Sequence, residues 1–311
     1  MTPNLPDTYT IKTATRSELP LVIQWATAEG WNPGIADAEC FYAADNKGFF
    51  IGLLNGEPIA SISAVKYNEN FGFIGLYIVR PAFRGRGYGL QLWQRGLNYL
   101  QGCNIGLDGV VQQQNNYTQS GFQLAHRSIR YQGIGDSFST QQPSANAQSN
   151  TQRDEILLSA KVLTSTARLV PLSSVPFESI TQYDKTLFLA ARTSFLQRWI
   201  SSARHIAIGV VDSHQQLLGY GVLRPCHQGY KIGSLFANTP QFAEAIFLHL
   251  KAHVEPQVSF YLDVPEVNIE AVSLAQKHQM KAVFETARMY TQTAPELPLN
   301  RIFGITTFEL G

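Results

Sequence analysis

The segment Tyr77-Ile78-Val79-Arg80-Pro81-Ala82-Phe83-Arg84-Gly85-Arg86-Gly87-Tyr88-Gly89-Leu90 holds the residues best suited to chemistry. A strand ends at Pro81, three alternating glycines make a tight loop, and an amphipathic helix follows at once. Glycines reach positive φ and let successive N–H groups converge on an anion. The helix N-terminus adds unpaired donors and a favourable dipole. Arg84 and Arg86 supply positive charge without a metal. Strand, arginines, glycines and helix coincide, which predicts a pyrophosphate site over a plain glycine-rich turn. Other phosphate loops fit poorly. No Gly-Lys-Ser/Thr ending is present, and Gly87-x-Gly89 is followed by Leu90, Gln91 and Leu92 without the third glycine of a dinucleotide fingerprint.

The pattern Val79-x-Pro81-x-x-Arg84-Gly85-x-Gly87-x-Gly89 resembles the acyl-CoA motif Gln/Arg-x-x-Gly-x-Gly/Ala of the GNAT N-acetyltransferases, over about residues 10 to 132. The resemblance implies an α/β (α+β) fold: a mixed, mostly antiparallel, splayed sheet flanked by helices, with pantetheine lying beside the strand that precedes the loop. It implies that the backbone of Tyr77, Ile78 and Val79 holds the pantetheine arm. The amides of Arg84, Gly85, Arg86, Gly87, Tyr88, Gly89 and Leu90 would then hold the pyrophosphate of acetyl-CoA.

Acetyl transfer to an amine needs a neutral amine, a stabilised oxyanion and a proton for the departing thiolate. The family commonly takes that proton from the tyrosine of Tyr-x-x-x-Gly-Phe, and Tyr117-Thr118-Gln119-Ser120-Gly121-Phe122 matches. The resemblance thus makes Tyr117 the acid, with an amide near Ile78 or Val79 polarising the thioester carbonyl. The alternative is an aromatic that simply packs on the sheet. The family's usual Asn, seven residues earlier, is Val110 here. Asp108 reads better as scaffold than as base, which leaves Glu69, Glu29 or a water chain for that role. In this family the region between the first two helices lines the acceptor pocket. Trp31, Asn32, Asp37 and Phe41 are therefore substrate-binding candidates, equally readable as a helix-ending turn built by Gly, Asn and Pro.

The elements that must position these groups follow from periodicity. A strand at 11–14, a capping-box pattern at Thr15–Glu18 and a helix through Trp25 open the chain, with Asp37 as cap of a second helix. Strands at 49–54 and 59–67 flank Asn55-Gly56, a strong hairpin signal. A strand at 71–79 precedes the loop. The helix 87–100 carries Leu90, Trp93, Leu97 and Leu100 on one face. A strand at 104–110, a short helix at 113–120 and a strand at 122–131 complete the set.

The second half repeats this order, from a helix over 183–199 to strands at 205–211, 217–223 and 231–236, then helix 240–253, strand 258–264, helix 268–279 and strand 283–290. Leu107-Asp108 and Arg130-Tyr131 recur as Leu262-Asp263 and Arg288-Met289-Tyr290, which suggests duplication. Asn268-x-x-Ala271-x-x-Leu274-Ala275 resembles the family's tyrosine helix with its Asn kept, but Ala275 stands for the tyrosine and Gln279 for the glycine. The loop before the 240–253 helix lacks the glycines and arginines. The resemblance therefore implies a tandem protein: an active GNAT half at 1–140, a Ser/Gln/Asn-rich linker at 141–155 and a degenerate GNAT-like half at 156–311, with one acyl-CoA site per chain. Arg192, Phe195 and Trp199 read as packing with a snorkelling arginine. Residues 303–310 read as a strand that closes the sheet or covers the pocket.

Composition narrows the partners. The 24 Lys+Arg against 23 Asp+Glu give no electrostatic footprint for nucleic acid or an anionic membrane. No apolar run nears the roughly 18 residues of a membrane span, and the first residues do not read as a signal peptide. Three separated cysteines fit a reducing cytoplasm. His249 and His253 lack the acidic partner of a metal-binding helix, so no metal is expected. The expected function is acetyl transfer from acetyl-CoA to a small-molecule amine in a ternary complex, by a monomer or homodimer. The alternative is a non-catalytic acyl-CoA sensor.

Overall fold

A computed structural model describes residues 7–136, 162–164 and 167–311; the expected linker at 141–155 lies outside them. The first half opens with β1 (Tyr9–Thr13) and α1 (Leu19–Ala28). The capping box shows in the Glu18 carboxylate, which accepts the Thr15 N–H at 2.9 Å. In α2 (Asp37–Ala44) the cap position falls on Ala36. Asp37 sits one residue inside the helix, not at its cap as expected, and its carboxylate accepts the Gly34 N–H at 2.7 Å.

β2 (Phe49–Leu54) and β3 (Glu57–Lys66) form the expected hairpin. Asn55 and Gly56 both have positive φ, 51° and 85°, the conformation that matches a two-residue turn to strand twist. β4 (Phe71–Val79) leads through the glycine loop into α3 (Tyr88–Tyr99). The buried stripe of α3 runs through Leu92, Trp93 and Gly96. Leu90, expected on that stripe, is 70% exposed, because the first turn overhangs the mouth of a cavity instead of the sheet. β5 (Asn104–Val110), α4 (Gln114–Gln119) and β6 (Gln123–Ile134) follow.

The second half runs β7 (Val162–Thr164), β8 (Ala167–Pro171), α5 (Phe177–Lys185), α6 (Thr193–Ser201), β9 (Ile206–Asp212), β10 (Leu217–Pro225), β11 (Tyr230–Ala237), α7 (Pro240–Lys251), β12 (Ser259–Pro265), α8 (Ile269–Lys277), β13 (Lys281–Tyr290) and β14 (Ile302–Gly304). The single helix expected over 183–199 is two helices. Between them the chain turns so that Arg192 reaches back to Asp184, with contacts of 2.8 and 2.9 Å. Arg192 is thus a buried ion-pair partner and not a snorkelling residue. The strand expected over 303–310 is also shorter. After Gly304 the chain leaves the sheet and winds around Thr307, whose Oγ1 accepts from the N–H groups of Glu309 and Leu310 at 3.1 and 3.0 Å.

All of these strands join one sheet in the order β1-β2-β3-β4-β5-β13-β6-β12-β11-β10-β9-β8-β7, with β14 on β11. The order is nearly palindromic. One strand of each half crosses over: β13 lies between β5 and β6, and β6 lies between β13 and β12. The exchange leaves neither half with an open inner edge.

β4 and β5 are parallel, as are β11 and β12, and each such pair parts after a few residues. In the second half the gap is filled by the chain itself. β14 pairs with β11 there, and Ile305 donates its N–H to the Asp263 carbonyl at 2.9 Å. In the first half the corresponding gap is open.

Helices α1, α2 and α6 cover one side in a core that draws residues from both halves, among them Phe41, Trp199 and Leu310. The α1–α2 loop clamps the halves together. Asn32 Nδ2 donates to the Gln228 carbonyl and Asn32 Oδ1 accepts the Gln228 N–H, both at 2.9 Å. Arg224 Nε meets Asp37 Oδ1 at 3.0 Å.

Candidate active site

The gap between β4 and β5 is a cavity of about 630 Å³, within the usual range for a ligand pocket. Its register explains its place. Parallel pairing ends at Ile74↔Leu107, and the strands diverge from Gly75 onward. β4 carries a bulge at the same point: Ser61 faces Ile78 but Ser63 faces Gly75. Leu76, within it, has φ of 47°, and the buried Ser61 hydroxyl donates to the Leu76 carbonyl at 3.0 Å. A bulge takes residues out of the ladder and re-aims their backbone groups.

The glycine loop closes one end. Gly85 and Gly87 have φ of 74° and 81°, a region that costs a residue with a Cβ about 1–2 kcal/mol. Gly89 is required for another reason. A Cβ there would come within 2.7 Å of Tyr77 Oη and 3.0 Å of Val79 Cγ2, so the start of α3 rests directly on β4. The first turn of α3 has no acidic residue, which leaves its positive end uncompensated and suited to an anion. Arg84 Nε donates to the Val79 carbonyl at 2.7 Å, and its guanidinium pairs with Glu29. These features fit the pyrophosphate and pantetheine of an acyl-CoA.

Of the expected acyl-CoA residues, Tyr77, Ile78, Val79, Arg84, Gly85, Gly87, Tyr88, Gly89 and Leu90 line this cavity. Arg86 does not, and lies over the Phe83 ring at 6.0 Å instead.

Tyr117 lines the opposite wall from α4. Its ring lies against Gly109 of β5, where a Cβ would approach Tyr117 Cε2 to 2.3 Å, and 5.6 Å from the Trp93 ring. The motif around it has a mechanical basis. Gly121, at φ 89°, turns the chain out of α4, and Phe122 anchors the turn in the core. Burial, with a smaller contribution from Tyr77, pushes the Tyr117 phenol up to about 12. At neutral pH the group is therefore a protonated donor.

The acceptor candidates divide. Trp31 lines the cavity. Asn32, Asp37 and Phe41 do not: they are 9%, 0% and 0% exposed and spend their contacts on the clamp to the second half and on the core. Of the candidate bases, Glu29 is engaged by Arg84, and Glu69 lies in the β3–β4 turn away from the cavity. Asp108 lines the cavity but is held bidentate by Arg288, at 2.9 and 2.5 Å, the scaffold role expected of it.

The inner end is built by residues that the first-half motif did not point to. Phe284 and Thr286 come from β13, and Phe308 and Glu309 from the C-terminal turn. The only sequence signal for the last two was the apolar stretch at 303–310. Among the described residues there is no cluster of ligands that could hold a metal, and no helix long and apolar enough to cross a membrane.

Comparison with known proteins agrees with this geometry. A model described as the acetyltransferase (GNAT) family matches residues 15–122, and one described as the acetyltransferase (GNAT) domain matches residues 180–304. A holothin acyltransferase from Pseudoalteromonas sp. (strain SANK 73390) is 28% identical over 304 residues, covering 98% of this chain and 95% of that protein. Among solved structures, an acetyltransferase candidate from Pyrococcus horikoshii aligns with a TM-score of 0.74 at 21% identity, over 97% of this chain and 96% of its own. A tandem GNAT protein from the clavulanic acid biosynthesis pathway aligns with a TM-score of 0.59 at 11% identity, over 93% and 100%. With a GNAT match in each half and a single splayed sheet through both, the chain belongs to the GNAT acyltransferase superfamily as a tandem of two GNAT domains.

Proposed function

We propose that this protein transfers acetyl from acetyl-CoA to an amine of a small-molecule acceptor by direct attack in a ternary complex. The observation that carries the reading is the open β4–β5 gap, with a positive-φ glycine loop at one end and the Tyr117 phenol on its wall. Pantetheine lies along Tyr77–Val79, and the pyrophosphate meets the N-terminus of α3. Backbone around the Leu76 bulge supplies the amide that polarises the thioester carbonyl. The amine nitrogen bonds to that carbon, the C–S bond breaks, and Tyr117 gives its proton to the sulfur.

The aromatic walls of the inner end, Trp31, Phe284 and Phe308, favour a small acceptor over a protein surface, and the long match to a holothin acyltransferase supports acyl transfer. The cavity is lined from both halves of one chain, which supports a monomer as the working unit, with a homodimer as the alternative. All three cysteines are free and buried, in keeping with a reducing cytoplasm.

The test is thiol release from acetyl-CoA against a panel of small amines, with wild type and Tyr117→Phe. Turnover on at least one amine, with kcat reduced about 100-fold or more in the variant, is the expected result. Acetyl-CoA binding with no turnover on any amine would instead identify a sensor.

A further inference from the structure

Three carboxylates line the cavity: Glu29, Asp108 and Glu309. Two are committed, Glu29 to Arg84 at the mouth and Asp108 to Arg288 on the wall. Glu309 is different. It is 4% exposed, and its Oε2 is sealed from solvent with no hydrogen-bond partner. The hydroxyl of Thr286, also on the inner wall, is in the same condition. A buried carboxylate with no donor to one of its oxygens is costly; Oε2 is out of a ligand's reach, so an incoming N–H meets the other oxygen, from the cavity that Glu309 lines.

The placement suits the reaction. The Glu309 carbonyl lies so close to β4 that a Cβ on Gly75 would come within 2.1 Å of it. Gly75 immediately precedes the Leu76 bulge, where β4 leaves β5 and the thioester would lie. The C-terminal turn thus brings this residue to the inner end of the cavity, on the acceptor's side. The charged groups whose fields reach it come from four strands: Asp108 on β5, Arg130 on β6, Arg224 on β10 and Lys231 on β11. Arg130 is paired with Asp263 and Arg224 with Asp37, while Lys231 Nζ donates to the Trp31 carbonyl at 3.1 Å.

We propose that Glu309 is the general base of the reaction, receiving the acceptor amine at the inner end of the cavity and taking its proton as it attacks. The assignment rests on the acetyl-transfer reading above. The neutral amine donates its lone pair to the thioester carbon, forming the C–N bond, and the N–H proton passes to the Glu309 carboxylate. The C–S bond breaks, and its electron pair takes the Tyr117 proton. After the amide and CoA leave, the proton on Glu309 returns through solvent to the Tyr117 phenolate, which restores both groups. The acceptor is accordingly a compact primary amine, small enough to fit between Trp31, Phe284 and Phe308.

The competing role for Glu309 is that of a buried counter-charge to Lys231, and two variants separate the roles. Glu309→Gln keeps the shape and removes the base. Lys231→Met with Glu309→Gln removes both charges, so no buried cation is left unbalanced. Thiol release across a pH range, acetyl-CoA affinity by calorimetry and thermal melting are measured for wild type and both variants. Glu309→Gln is expected to lose about 100-fold or more in kcat, the usual scale for a general base. It should keep acetyl-CoA affinity. The double variant should melt like wild type and remain inactive.

If Glu309→Gln keeps the wild-type rate, or if the double variant regains activity with stability, the assignment is overturned while acetyl transfer stands. A wild type that binds acetyl-CoA yet acetylates no amine overturns both.

Discussion

Asp108 on β5 and Arg288 on β13 form a bidentate pair between the two halves, and Asp263 on β12 with Arg130 on β6 forms its mirror image. In each pair the Asp of one repeat meets the Arg of the other. The repeated Leu-Asp and Arg-containing segments are thus the two ends of one interlock, and strand exchange brings them together across antiparallel register, Arg288↔Asp108 and Asp263↔Arg130.

Breaking one pair should leave an uncompensated buried charge. Arg288→Met is expected to cost about 3–5 kcal/mol of stability, read by denaturant unfolding. Asp108→Leu with Arg288→Met should recover most of it. The same loss in the double variant as in the single would show that the pair matters through packing alone.

His126 stands opposite Arg288 in the β6–β13 ladder. Burial first, and the Arg288 charge second, lower its pKa from 6.5 to about 3. The unfolded chain therefore binds a proton in this interval that the folded chain refuses, so stability is full above about 6.5 and falls as pH drops toward 3. Urea midpoints measured from pH 7 to 4 should decline, and His126→Gln should flatten that decline.

At the alkaline side the sign reverses in cause but not in outcome. Burial raises Tyr9 and Tyr117 from 10.0 to about 12. Above 10.0 the unfolded chain releases protons that the folded chain keeps, so stability is lost between these values. Tyr117→Phe should shallow the slope of melting temperature against pH there, while leaving it unchanged at neutral pH.

The loop glycines should separate by mechanism. Gly87→Ala places a Cβ at φ 81° and should cost about 1–2 kcal/mol with weaker acetyl-CoA binding. Gly89→Val has no such conformational penalty, but collides with Tyr77 and Val79. It should lift α3 from β4 and abolish acetyl-CoA binding in calorimetry, even where the fold persists by circular dichroism.

Gly75 tests the C-terminal turn. Gly75→Ala should push the Glu309 backbone away from β4 and lower kcat more than acetyl-CoA affinity. Equal effects on both would mean that the turn shapes the whole cavity and not its inner end.

The sequence by itself determined the elements whose signals are local. Glycines at alternate positions before an amphipathic helix, Asn55-Gly56 between two strands, and the Tyr117–Phe122 spacing each state a backbone conformation or a helical face within a few residues, and each appears where expected. Even the repeat was visible, because recurrence of Leu-Asp and Arg is a property of the string.

Tertiary structure alone decided what those segments meet. Asn32 and Asp37 looked like acceptor contacts, since amides and carboxylates beside an aromatic suit both a ligand and a clamp. Their partners Gln228 and Arg224 lie nearly two hundred residues away. The split of the 183–199 helix depends on Arg192 finding Asp184 once the core forms, and the crossing of β6 and β13 depends on both halves being present at once. The inner wall of the cavity comes from β13 and from a turn at 305–311 that carries no periodic signal. Local patterning encodes elements because their hydrogen bonds close within a few residues. A site assembled across halves is encoded only by complementarity between distant surfaces.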